Sequence, residues 1–223
     1  MPVTWATFDC YGTLIDWEGG VADAVAPFLP VAFDRHELAL RYIEIEKAVE
    51  GEAYLPYAAV LDRAGRALLA ERGATLGEHE VCPLPGSIHR WQPFAEVSTA
   101  LRALRERGIR LAILSNVDRD LIASSIHHLG VSPDLIVTAE DARSYKPAPG
   151  HWRLFRERSG ATIEETVHVG ASVYHDMVPA RALGYRTVLI ARHGESSPAA
   201  LRTIPDLARL PETIAAFEGA GRT

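Results

Sequence analysis

Val3-Thr4-Trp5-Ala6-Thr7-Phe8-Asp9-Cys10-Tyr11-Gly12-Thr13-Leu14 sets a short apolar run directly against a carboxylate and a glycine. Residues 3–8 predict a buried strand, being apolar and rich in β-branched and aromatic side chains. Asp9 stops the run, and Gly12 permits a tight chain reversal just beyond it. The same layout, an apolar run followed by polar residues, returns at Arg110–Ser115, Leu135–Thr138, Thr166–Gly170 and 187–191. Helical patterns separate the runs. They are Phe94, Val97, Leu101 and Leu104 ahead of Gly108, then Leu121, Ile122, Ser125, Ile126 and Leu129. Others follow Pro149, span about 176–183, and lie near 212–217.

Almost continuous apolar strands separated by helices predict a parallel sheet covered on both faces, an α/β Rossmann-like fold. Residues 17–91 break the alternation. Leu38, Tyr42, Ile45 and Val49 recur at helical spacing, and a second helix is expected from about Pro56 to Gly73. No strand pattern is present there. Residues 17–91 therefore read as a helical cap domain inserted into a core made of 1–16 and 92–223. The punctuated stretch Cys82-Pro83-Leu84-Pro85-Gly86 reads as the linker back to the core.

The chain has 223 residues, 48% hydrophobic and 23% charged, with a formal net charge of −6. A core of this size needs neither disulfides nor a structural metal. No basic stripe is present, which excludes nucleic acid and an anionic membrane surface as expected partners. The two cysteines, Cys10 and Cys82, lack metal-site spacing and read as reduced thiols. No apolar stretch approaches the roughly 20 residues of a membrane span, and residues 1–5 lack a signal-peptide pattern. The expectation is a soluble, cytoplasmic protein, with a homodimer left open.

In an open parallel sheet, ligands bind beyond the carboxyl ends of the strands. Asp9 follows the first strand, Ser115-Asn116 the second, Lys146 lies past the third, and Ser172 to Asp176 follow the fourth. Two carboxylates, an ammonium and small donors thus reach one edge. A positioned, partly desolvated carboxylate is a competent nucleophile. A cation between two carboxylates keeps both ionised. Ser115 and backbone N–H groups ahead of a helix start near Asp118 suit an anionic group.

Phe8-Asp9-Cys10-Tyr11-Gly12-Thr13-Leu14, Ile113-Leu114-Ser115-Asn116, Tyr145-Lys146-Pro147 and His168 to Asp176 resemble the four motifs of the haloacid dehalogenase superfamily, in order and spacing. In the phosphatases of that superfamily a second Asp follows the nucleophile by two residues, where this chain has Tyr11. Their Gly-Asp magnesium pair is Gly170-Ala171 here. A halide needs neither a proton nor a metal to leave, so the sequence is most similar to the 2-haloacid dehalogenase branch. That resemblance implies Asp9 as nucleophile, with Lys146 and Asp176 catalytic. Tyr11, Thr13, Ser115, Asn116 and Ser172 are its expected substrate contacts, together with a cap arginine at Arg41 or Arg35. The substrate is a small carboxylate, and no cofactor or metal is called for. The fourth motif has Val173 where the branch has asparagine, and Trp152 stands where it has tyrosine. Two rivals stay open: a phosphatase with an atypical magnesium site, and a non-catalytic binder of small anions.

Several residues also have plainer readings. Trp17, Trp91 and Trp152 read as packing, His127-His128 as surface, and Asp16 as a helix cap. Glu44, Glu46, Glu50 and Glu52 read as a solvated helix face. His175 reads equally as a site residue or a loop hydrogen-bonder.

Overall fold

Leu111 and Ile113 pack into one hydrophobic cluster and Ala112 and Leu114 into another, so the strand they share is buried on both faces. That strand is β2 (Arg110–Ser115) of the computed structural model, which describes residues 1–52 and 54–219. Around it lie β1 (Trp5–Phe8), β3 (Leu135–Thr138), β4 (Thr166–Gly170), β5 (Arg186–Ile190) and β6 (Arg202–Ile204). All pairings are parallel, in the order β3-β2-β1-β4-β5-β6. The chain moves outward in one direction from β1 and in the other from β4. The crevice between those two strands is therefore the topological switch point, where such sheets bind ligands.

The helices are α1 (Trp17–Val25), α2 (Arg35–Glu50), α3 (Tyr57–Glu71), α4 (Val97–Glu106), α5 (Arg119–Ile126), α6 (Ala139–Ala142), α7 (Gly150–Ser159), α8 (Val178–Ala182) and α9 (Leu210–Gly219). Two departures from the sequence reading are local. The predicted helix at 176–183 begins as a π turn, Val173–Met177, before α8. The three-residue β6 is too short, with two of its residues exposed, to show any period.

Residues 17–91 contain α1, α2, α3 and two 3-10 turns, with no strand among the described residues. Leu38, Tyr42 and Ile45 form the buried stripe of α2, and Val60, Leu61, Ala64, Leu68 and Leu69 that of α3. These side chains and the β1–β2 face share one continuous hydrophobic cluster. The stretch at 82–86 is not a bare linker: Cys82 and Leu84 are buried against α3. A Cβ at Gly65 would lie 2.5 Å from the Cys82 sulfur, so α3 accepts this segment only because Gly65 has no side chain. Cys10 is likewise a buried free thiol. Among the described residues, no helix is long and apolar enough to cross a membrane.

Candidate active site

Asp9 leaves β1 at the switch point, and Gly12 turns the chain with φ +94, a conformation natural to glycine. The turn returns Thr13, whose hydroxyl donates to Asp9 Oδ2 at 2.9 Å and accepts from the Ala171 N–H at 2.9 Å. Lys146 Nζ donates to Asp9 Oδ1 at 2.9 Å and to Asp176 Oδ1 at 2.6 Å. Behind them, His168 lies 3.4 Å from Asp176 Oδ1 and 2.9 Å from the Thr7 hydroxyl. The Ser172 N–H donates to Asp176 Oδ2 at 3.3 Å. Three separate loops thus converge in one buried polar network, and the Asn116 amide joins a fourth to it through the Lys146 backbone.

Gly170 makes the closest approach possible. A Cβ there would stand 2.6 Å from Asp176, so only glycine lets the Asp176 carboxylate fold over the end of β4. The side chain of Asp176 is fully buried, while that of Asp9 retains 13% exposure toward a cleft of about 710 Å³. Asp9 is therefore the carboxylate that can meet a ligand.

The charges reinforce one another. Burial opposes the charge on Lys146, but Asp176 and Asp9 more than compensate and hold its pKa well above the usual lysine range. Burial would raise Asp176, yet Lys146 and His168 pull it well below the ordinary carboxylate range. Asp9 is raised by burial; Lys146 pulls it back and the Asp176 charge adds to the rise. The two carboxylates are pushed apart in acidity, the usual arrangement where a pair has divided roles.

The remaining expected contacts are distributed unevenly. Tyr11 and Ser115 line the cleft. The Tyr11 hydroxyl is engaged with Ser125 Oγ at 2.8 Å, and its ring meets Trp91 edge-on. Asn116 also lines it, but its amide clamps the Lys146 backbone, donating to the carbonyl at 3.1 Å and accepting from the N–H at 2.7 Å. The Ser172 hydroxyl caps the π turn by accepting from the His175 N–H at 3.1 Å. His175 bonds that hydroxyl through its ring too, and burial lowers its pKa to about 4, so it is neutral.

Arg41 is not brought to the cleft. Its guanidinium is exposed and bidentate to Glu71 at 2.7 and 2.6 Å, with Glu44 as a third partner. Arg35 does line the cleft, paired with Asp23. Trp17 and Trp91 line it as well, whereas Trp152 is packed in the core. Asp16 caps α1 by accepting from the Gly19 N–H at 2.9 Å.

The glutamate face of α2 differs most from the reading. Glu44 and Glu52 are exposed, but Glu46 and Glu50, one turn apart, face the cleft with Tyr42. Glu46 accepts from the Tyr42 and Tyr57 hydroxyls at 3.1 and 2.5 Å. Burial, and then the Glu46 charge, lift Glu50 to about 8. Their spacing of four and eight residues from Tyr42, on one helix face, was the available signal.

All four oxygens of Asp9 and Asp176 accept from N–H or O–H groups, one of them the Lys146 ammonium, and Ala171 offers no oxygen.

Haloacetate dehalogenase H-2 of Moraxella sp. (strain B) is 32% identical over 193 residues, covering 84% of this chain and 85% of that protein. The (S)-2-haloacid dehalogenase of Pseudomonas sp. (strain YL) is 26% identical, covering 84% and 82%. A solved L-2-haloacid dehalogenase from Xanthobacter autotrophicus with chloropropionic acid covalently bound superposes with a TM-score of 0.82. It is 20% identical and covers 96% of this chain and 98% of its own. The family profile of haloacid dehalogenase-like hydrolases matches residues 3–184. With the four loops converging as described, the chain is an enzyme that belongs to the haloacid dehalogenase-like hydrolases.

Proposed function

We propose that this enzyme hydrolyses the carbon–halogen bond of a small 2-haloalkanoic acid, giving halide and a 2-hydroxy acid. The observation that carries this is Asp9, held by Lys146 and Thr13 and facing the cleft, with Tyr11 and Ala171 at the positions of a proton donor and a metal ligand. Residues 17–91 act as the cap over this site.

An Asp9 oxygen attacks the halogen-bearing carbon, and the halide leaves with the bonding electrons. This forms an ester between that carbon and Asp9. Water, giving a proton to Asp176 beside the Lys146 ammonium, then attacks the Asp9 side-chain carbon; the ester oxygen leaves with the product, taking up a proton to become the hydroxyl of the hydroxy acid, and the Asp9 carboxylate is restored. Ser115 and the start of α5 receive the substrate carboxylate. At neutral pH the protonated Glu50 leaves the roof compatible with an anion. Arg35 lines the cleft where Arg41 does not, which supports Arg35 as the arginine that meets the leaving halide.

A single turnover in heavy-oxygen water, with enzyme in excess over a chloro- or bromo-carboxylate, tests the mechanism. The label is expected in the peptide carrying Asp9, with halide released and little label in the product. Label placed directly in the product would make Asp9 a general base and overturn the ester. Hydrolysis is expected to survive prolonged chelator treatment. A loss restored by magnesium, together with turnover of phosphate esters, would replace this reading with a phosphatase.

A further inference from the structure

Away from the carboxylate pair, Glu18 of α1, His36 of α2 and His193 in the loop after β5 meet at the rim of the same cleft. His193 Nε2 stands 3.0 Å from Glu18 Oε1, and His36 Nδ1 stands 3.5 Å from Glu18 Oε2. The two imidazole rings lie 4.5 Å apart and tilted by 33°. One ligand atom from each residue falls within 4.8 Å of the other two. We propose that these three side chains form a binding site for a zinc-class divalent cation, bridging the helical segment and the sheet core.

The chemistry selects the ion class. Two imidazoles and one carboxylate suit zinc and its transition-metal neighbours, whereas magnesium and calcium prefer oxygen donors throughout. In tetrahedral zinc sites, bonds of about 2.0–2.2 Å place neighbouring donors roughly 3.3 Å apart. The distances to Glu18, 3.0 Å to one carboxylate oxygen and 3.5 Å to the other, bracket that spacing. Surrounding charge favours a cation: Glu195 accepts from the His193 N–H at 3.0 Å, and Arg35, beside His36, is paired with Asp23. Three protein ligands leave one position for water, open toward the cleft. Without an ion, the contacts amount to an exposed His–Glu–His chain, an arrangement with little reason to gather residues this far apart in sequence.

Glu18 and His36 lie in the helical segment and His193 in the core, so a bound ion would tie the two sides of the cleft mouth together. The test uses the full chain and no substrate, so it stands apart from the reading of the reaction. Zinc chloride is titrated by calorimetry and cobalt chloride by visible absorption. The expected result is one equivalent per chain, intense tetrahedral cobalt bands, and a melting temperature that rises with zinc. Affinity should fall more than about tenfold in His36→Ala, His193→Ala and Glu18→Gln, and stay unchanged in Asp9→Asn. Magnesium should not compete. Equal zinc affinity in wild type and a folded His36→Ala/His193→Ala double variant would overturn the site. So would loss of binding in Asp9→Asn, which would place the ion at the catalytic carboxylates.

Discussion

Gly170 and Lys146 set the site at the scale of single residues. A methyl at 170 would overlap Asp176 at 2.6 Å, so Gly170→Ala must displace the carboxylate or the strand end. Turnover in that variant should drop about a hundredfold, a 1 Å misplacement being enough for such a loss. Substrate binding should change less, a split that steady-state kinetics can read. Lys146→Met leaves two buried carboxylates without their cation. It should lose activity and about 3–5 kcal/mol of stability, measured by denaturant unfolding. Asp9 must be ionised to attack, and its pKa is raised by burial. The acid limb of kcat/KM should therefore lie above the ordinary carboxylate value of about 4, and the rate should fall as pH drops through it.

At the scale of one element, α2 carries two acidic faces with opposite fates. Glu44 faces solvent beside Arg41, while Glu46 and Glu50 face inward. Since Arg41 is held outside the cleft, Arg41→Ala should keep kcat/KM within about twofold, as surface changes away from such features have small effects. Arg35→Ala should lower it. Glu50 titrates near 8 in the fold against an ordinary 4.5. The folded protein then holds this proton more tightly than the unfolded chain. Its contribution to stability is complete below about pH 4.5 and is lost as pH rises through 8. Glu50→Gln should match wild type near pH 5 and exceed it by roughly 1–3 kcal/mol near pH 9. Thermal melts at the two pH values check this.

At the scale of the whole molecule, the helical segment is fastened to the core by borrowed hydrogen bonds. Pro56, at the N-cap of α3, provides no side-chain cap. The side chain of Asp118, at the N-cap of α5, makes no capping bond to its own helix. Its carboxylate instead accepts from the Tyr57 and Ala58 N–H groups, both at 2.9 Å. Tyr145 adds a bond from its hydroxyl to the Leu55 carbonyl at 2.6 Å. Asp118→Ala should cost about 1–2 kcal/mol, the usual loss for a helix cap. That corresponds to a melting shift of about 2–4 °C per kcal/mol. It should also raise hydrogen exchange at the start of α3, because the seam loses its cap there.

The sequence alone determined the parallel sheet, because strands buried on both faces must be apolar almost throughout, and a nucleophile must follow such a strand directly. It also determined which loops meet, since topology brings the carboxyl ends of β1, β2, β3 and β4 to one edge. Asp9, Lys146 and Asp176 were legible for that reason. Only the tertiary structure decided what each helical polar residue faces. The local pattern of α2 offered Arg41 to the cleft and set Glu50 on a solvated face, and packing against α1 and α3 turned the first out and the second in. Asn116 and Ser172 were expected at the substrate; the Asn116 amide also clamps the Lys146 backbone of the neighbouring loop and the Ser172 hydroxyl caps its own turn, because loops at a sheet edge must satisfy their backbone groups. Side-chain direction depends on contacts between segments distant in sequence, and a local pattern does not contain them.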